Sequence, residues 1–185
     1  MMLRDLRFSF SERKALAALA LIASVHPGLT PLYVAKTMYF AERLHINRYG
    51  RPIFADDYIA MPQGPVPSAI KDFIDEKWNW VQKPETIEAY IQIDHSSRYA
   101  KLMPGQACLD TSALSESDRE CLLESLEFCI HKTAEELSAI THRHAAWIEA
   151  TRNRSMDYRL FVDEDNPHKT EILEFMEENA VSAVL

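Results

Sequence analysis

The stretch from Leu29 to Phe73 limits the choice of fold more than any other, because it joins a helix with sharply marked ends to a run stiffened by proline. Thr30 stands where an N-cap belongs, Pro31 suits the first helical position, and Gly50 supplies a left-handed residue at the other end. Leu32 to Tyr49 is therefore expected to be helical. Within it, Lys36 has Leu32 and Tyr33 one turn before it and Tyr39 and Phe40 one turn after it. A cation among such neighbours has two readings. Its stem lies over the rings while the ammonium reaches water, or the ammonium pairs with Asp56 or Asp57 and fixes the loop beyond the helix. Pro52, Pro62, Pro65 and Pro67 then leave that loop few conformers. Gln63-Gly64-Pro65-Val66 is expected to open a further helix through Phe73, with Val66, Ile70, Phe73 and Ile74 as its apolar stripe. Pro65 removes an amide from that helix start and no glycine-rich cradle precedes it, which argues against a bound nucleotide.

Around this stretch the expected elements are mostly helices. The first runs from Phe10 to Val25, opened by a capping box of Ser9 and Glu12 and closed by His26-Pro27-Gly28. The short link places it antiparallel beside the second helix. Its apolar run, Ala15 to Val25, is too short to span a bilayer, and Glu12 and Asp5 dilute the positive end that an export signal needs. Trp78 and Trp80 read as core lids. From Ile87 to Ile93 apolar and polar residues alternate, which predicts a half-buried strand. Asp94 to Ser97 then turns the chain, and Arg98 to Met103 returns antiparallel. Ser115 with Asp118, and Thr133 with Glu136, mark the starts of two more helices. Asn166 and Pro167 begin a last one whose Ile172, Phe175 and Met176 share a face that docks on the core.

The fold class that follows is mainly α, a compact multi-helix domain over residues 1–150 with a small two-stranded antiparallel β-ribbon, followed by a helical extension over 151–185. A chain of 185 residues with 47% apolar content can bury one such core. Net charge is −8 but unevenly spread: residues 1–54 carry +5 and the remainder −13, a polarity that orients charged partners or solvates opposite faces. Cys108, Cys121 and Cys129 form no C-x-x-C pair, and an odd count suits buried thiols in a reducing cytoplasm.

Several function classes fall away. The chain has no G-x-S-x-G, P-loop, G-x-G-x-x-G or H-E-x-x-H motif, so no enzyme activity or cofactor is expected. His131, His142, His144 and Glu135 raise the question of zinc, but no second ligand pair completes a tetrahedral set. A ribbon after helices also fits a winged-helix DNA-binding transcriptional regulator. Against that, the ribbon offers only Arg98 and Lys101, and no helix carries a base-reading series of Arg, Lys, Asn and Gln.

Three fragments in order carry a resemblance: Lys36-Thr-Met-Tyr39-Phe40-Ala41, Tyr49-Gly50-Arg51-Pro52-Ile53-Phe54, and Ala60 followed by Gly64-Pro65-Val66. Leu114-Ser115, Leu137-Ser138-Ala-Ile-Thr141-His142 and Trp147 extend it over most of residues 10–150. In these the chain resembles the Panacea domain of SocA-like bacterial and phage-associated antitoxins, departing at Ala145-Ala146, where a Gly or Pro turn is expected. The resemblance implies a cytoplasmic antitoxin of a toxin–antitoxin system that binds a cognate toxin protein directly. At least one member is similar to a proteolytic adaptor, which adds an ATP-dependent protease as a partner. It implies no membrane or nucleic-acid partner and leaves homo-oligomers open. The motif residues it singles out for partner binding or for shaping that surface are Lys36, Tyr39, Phe40, Asp57, Gly64, Pro65, Val66, Thr141, His142 and Trp147. The apolar tail from Ala180 to Leu185 is expected to serve as an entry point for the protease.

Overall fold

A computed structural model describes residues 6–77, 88–107 and 112–180. In chain order these form α1 (Glu12–Val25), α2 (Pro31–Tyr49), β1 (Tyr58–Met61), β2 (Gly64–Pro67), α3 (Ser68–Ile74), β3 (Ile91–Asp94), β4 (Lys101–Pro104), α4 (Glu116–Ile130), α5 (Ala134–Thr141), α6 (Ala145–Ile148), a 3₁₀ turn (Tyr158–Phe161) and α7 (Lys169–Asn179). The architecture is mainly α, as expected, but with two antiparallel two-stranded ribbons among the described residues rather than one.

The central element is α2. Pro31 and Gly50, the latter at φ 70°, set its ends, while Thr30 takes the N-cap position without its hydroxyl making a capping bond. Helix α4 lies antiparallel along it. At one end the Tyr33 hydroxyl donates to the Lys132 carbonyl at 2.8 Å, and at the other Arg48 donates to both oxygens of Glu124 at 2.7 and 2.9 Å. The short link suggests α1 as the neighbour of α2, yet α1 rests mainly on β4 and α4. The reason lies in the link itself: Leu29 bridges to Leu102, with Gly28 and Leu102 amides donating to the Leu102 and Leu29 carbonyls at 2.8 Å. That bridge draws the end of α1 onto the β3–β4 ribbon and takes up backbone groups of β4 on the side away from β3.

Local sequence accounts for the remaining starts and stops, with corrections. The capping boxes at Ser115 and Thr133 both form. At α1 the cap is Ser11, whose Oγ accepts from the Lys14 amide, so Phe10 lies outside the helix and the Ser9–Glu12 box does not form. Helix α7 begins at Lys169: the Asn166 side chain accepts from the His168 amide and delays the helix by one turn. It does dock, through buried Ile172 and Met176, although Phe175 stays largely exposed. The β3–β4 ribbon is shorter than the alternation suggests, since 88–90 turn instead of extending and Arg98 precedes β4. Ile87, Trp78, Trp80, Cys108 and residues 181–185 lie outside the described residues.

The largest correction concerns Gly64 to Pro67. These residues pair with β1 in the register Tyr58↔Pro67, Ile59↔Val66, Ala60↔Pro65, Met61↔Gly64, and the helix starts only at Ser68. Proline is tolerated because 65 and 67 stand at alternate positions, so both missing amides fall on the edge turned away from β1. The other edge of β1 is covered by residues 153–156, where Ala60 and Met156 amides donate to Arg154 and Tyr58 carbonyls at 3.0 and 2.8 Å. The following helix is capped from a distance: Asp56 accepts from the Ala69 and Ile70 amides, both at 2.9 Å.

Candidate functional site

Four buried polar residues along α2 fix what surrounds it. Burial of Glu42 pushes its carboxyl up to about 7, against hydrogen bonds from the Ile53, Phe54 and Ala55 amides at 2.7, 3.3 and 2.7 Å and from the Tyr158 hydroxyl at 3.1 Å. Those bonds pin the loop after α2, including Ala55 at φ 59°. His45 and Lys14 meet Asp118 at 3.2 and 2.7 Å, and Arg51 meets it at 3.2 Å. Burial opposes the charge of Asp118, but these donors hold its carboxyl well below the usual range. Thr37 is buried beside Cys129. The fourth residue is Lys36.

Neither reading of Lys36 survives. Its side chain does not reach water, being 2% exposed, and it pairs with neither Asp56 nor Asp57. The ammonium donates to the Gln63 carbonyl and, at 2.9 Å, to Thr141 Oγ1. Thr141 passes its own proton to the Leu137 or Ser138 carbonyl, which leaves its lone pair free for the lysine. Burial holds the ammonium down to about 8, against a weaker opposing pull from Cys129. Asp57, expected as a counter-ion, is exposed and accepts from Ser155 Oγ at 2.9 Å, and Asp56 is spent on capping α3.

Lys36 is one part of a clamp on the β1–β2 turn. Three successive carbonyls of that turn each meet a side chain from the 138–147 segment. Trp147 Nε1 donates to Met61 O at 3.0 Å, the Pro62 carbonyl lies within hydrogen-bond reach of the His142 ring, and Ser138 Oγ donates to Gln63 O at 3.0 Å beside the lysine. Exposed turn carbonyls bind water in most hairpins, and here protein donors replace it. His142 stacks on Trp147 with centroids 3.9 Å apart at 20°. Burial lowers its pKa, and its Nε2 is buried with no partner among the described residues. Gly64 completes the fit: at φ +103°, a Cβ there would lie 2.1 Å from Lys36 Nζ and 2.4 Å from Thr141 Oγ1.

A second cluster sits one turn along α2. Tyr39 is wholly buried and its hydroxyl is 2.9 Å from His144 Nδ1. The neutral imidazole accepts there, because burial, followed by the charges of Arg43 and Lys36, holds His144 down to about 3. Phe40 packs edge-on against Phe128 and His144. His142 and His144 are thus committed to separate neighbours, and His131 is exposed beside Glu127. At the Ala145-Ala146 departure the chain forms the short helix α6, which swings Trp147 onto the hairpin.

Of the residues singled out in the sequence, Lys36, Gly64, Thr141, His142 and Trp147 converge on the hairpin turn, Tyr39 and Phe40 adjoin them through His144, and Asp57 stands apart. Pro65 and Val66 line a groove of about 450 Å³ between the start of α2, the hairpin and α3. Sequence patterns do not reveal the role of Glu42, whose only signal is being the sole acidic residue of α2, nor that of the Met61 to Gln63 carbonyls, which side chains do not mark.

A helical domain that spends its buried donors on holding one proline-rich hairpin is a scaffold for a shaped surface, with the motif side chains acting beneath that surface. The family model for the antitoxin SocA-like protein, Panacea domain, matches residues 34–148, and the chain belongs to that family. The match runs from the start of α2 through Trp147 and so encloses the clamp. No curated protein and no solved structure matches the chain. Among the described residues, no helix is long and apolar enough to cross a membrane.

Proposed function

We propose that this chain is an antitoxin that neutralises a cognate toxin by binding it directly, with no bond made or broken. Membership of the SocA-like family is the observation that carries the reading. The clamp supports it, because a hairpin held at every turn carbonyl loses little freedom when a partner seats on it, so less of the contact energy is spent on ordering. In this reading Lys36, Gly64, Thr141, His142 and Trp147 act by shaping the surface, while Pro65 and Val66 touch the partner. Neutralisation is then mass action: toxin is held in the complex, or the complex presents it to an ATP-dependent protease.

The test is co-expression with the protein of the adjoining reading frame. Relief of its toxicity together with a complex that survives gel filtration supports the proposal. A neighbour that stays toxic, and that never co-purifies, ends it. Toxin half-life in cells with and without the protease separates holding from delivery: unchanged decay favours holding, and slower decay without the protease favours delivery.

A further inference from the structure

The groove beside the clamp has an uncompensated charge at its floor. Its walls are Leu32 and Ala35 of α2, Val66 of β2 and Ile70 of α3, with Lys36 among the lining residues. An ammonium has three hydrogens to donate. Two go to the Gln63 carbonyl and Thr141 Oγ1, and among the described residues no acceptor is found for the third and no carboxylate pairs with the charge. A buried cation without a counter-ion is costly, and the usual remedies are a paired anion or loss of the proton. The rim adds Lys71, already matched by Asp75 at the same edge, so it neither attracts nor repels. The floor therefore asks for negative charge and the walls ask for apolar surface.

The edge of β2 narrows the mode of binding. Pro65 and Pro67 stand at its outward positions, so that edge has no amide to offer and cannot be extended by another strand. An occupant must seat by its side chains.

Resting on the proposed function above, we infer that this groove receives a segment of the toxin in which an aliphatic or aromatic side chain lies beside an aspartate or glutamate. The apolar group packs between Leu32, Val66 and Ile70, and the carboxylate supplies the counter-ion that Lys36 lacks. Binding would then return the lysine towards its ordinary basicity, since an adjacent anion favours the ammonium.

The test uses the full chain and the co-purified toxin. Val66 is only half-buried, so Val66→Asp leaves the core intact while placing negative charge at the groove wall. It should weaken the complex at least tenfold and abolish relief of toxicity, with an unchanged circular dichroism spectrum. Glu171→Gln, on the exposed side of α7, should bind as the wild type does. The second readout follows the Lys36 ¹³Cε resonance through pH titration, free and in complex; its midpoint should rise from about 8 in the free chain by one unit or more. If Val66→Asp binds and neutralises normally, or the lysine midpoint does not rise, the groove is not the docking site, although antitoxin activity stands. If the wild type neither binds nor neutralises, both readings fall together.

Discussion

Replacing Gly64 with alanine should be the most damaging single methyl addition in the hairpin. Two costs act together. At φ +103° a side chain is strained, which typically costs about 1–2 kcal/mol. The new Cβ also overlaps Lys36 Nζ at 2.1 Å and Thr141 Oγ1 at 2.4 Å, and overpacking of this kind costs roughly 1–3 kcal/mol. The lysine cannot swing outward cheaply, because its exit would break the Gln63 and Thr141 hydrogen bonds that satisfy a buried charge. The expected loss is thus about 2–5 kcal/mol, a large share of the roughly 5–15 kcal/mol that holds a typical domain together. Urea unfolding followed by tryptophan fluorescence measures it directly, and the melting temperature should fall by roughly 5–15 °C. Shortening the lysine in the same chain provides the decisive control: in a Lys36→Ala background the alanine at 64 should cost about 1 kcal/mol less, a coupling that neighbouring groups show and distant ones do not. A Gly64→Ala chain within about 0.5 kcal/mol of the wild type, or strict additivity with Lys36→Ala, would refute the clamp geometry.

Two further outcomes follow from buried titratable groups. His144 is held down to about 3 by burial, so the unfolded chain takes up a proton near 6.5 while the folded chain does not. The stability tied to its neutral state is therefore present above about pH 6.5 and is lost as pH falls towards 3. His144→Asn keeps an acceptor for Tyr39; its stability deficit against wild type should narrow between pH 7 and pH 4, and parallel curves would show that the histidine is not held neutral. Burial also pushes the thiols of Cys121 and Cys129 up to about 11 and about 12. Iodoacetamide at pH 8 should leave both unlabelled in the native chain and label both in urea, as peptide mapping would reveal.

Much of the framework is written in local chemistry. Pro31 and Gly50 bound α2, two capping boxes start α4 and α5, and alternation marks β3, because each depends on residues within a few positions of one another. Local chemistry also misleads where two nearby residues compete for one role. Ser11 displaces Ser9 as the cap of α1, and Asn166 spends its side chain on a turn ahead of α7. The β1–β2 hairpin is concealed because Pro65 and Pro67 read as a helix start, and only the register shows that their missing amides face away from β1. Lys36 stands out as unusual in the sequence, but its partners are out of reach of any local rule. One is a backbone carbonyl, and the other, Thr141, lies 105 positions along the chain. The same holds for Glu42, whose partners are loop amides and a tyrosine 116 positions away.

That separation sets the order in which the molecule can be completed on the ribosome. Translation proceeds at roughly 5–20 residues per second, so the interval between the synthesis of Met61 and that of Trp147, its eventual donor, is on the order of five to fifteen seconds. Throughout it the turn has no Trp147, His142, Thr141 or Ser138 to grip it, and Lys36 has no Thr141. A nascent chain stalled before residue 147 presents α2 with its polar groups unmatched, and it is in that window, rather than after release, that a chaperone or protease meets its easiest substrate.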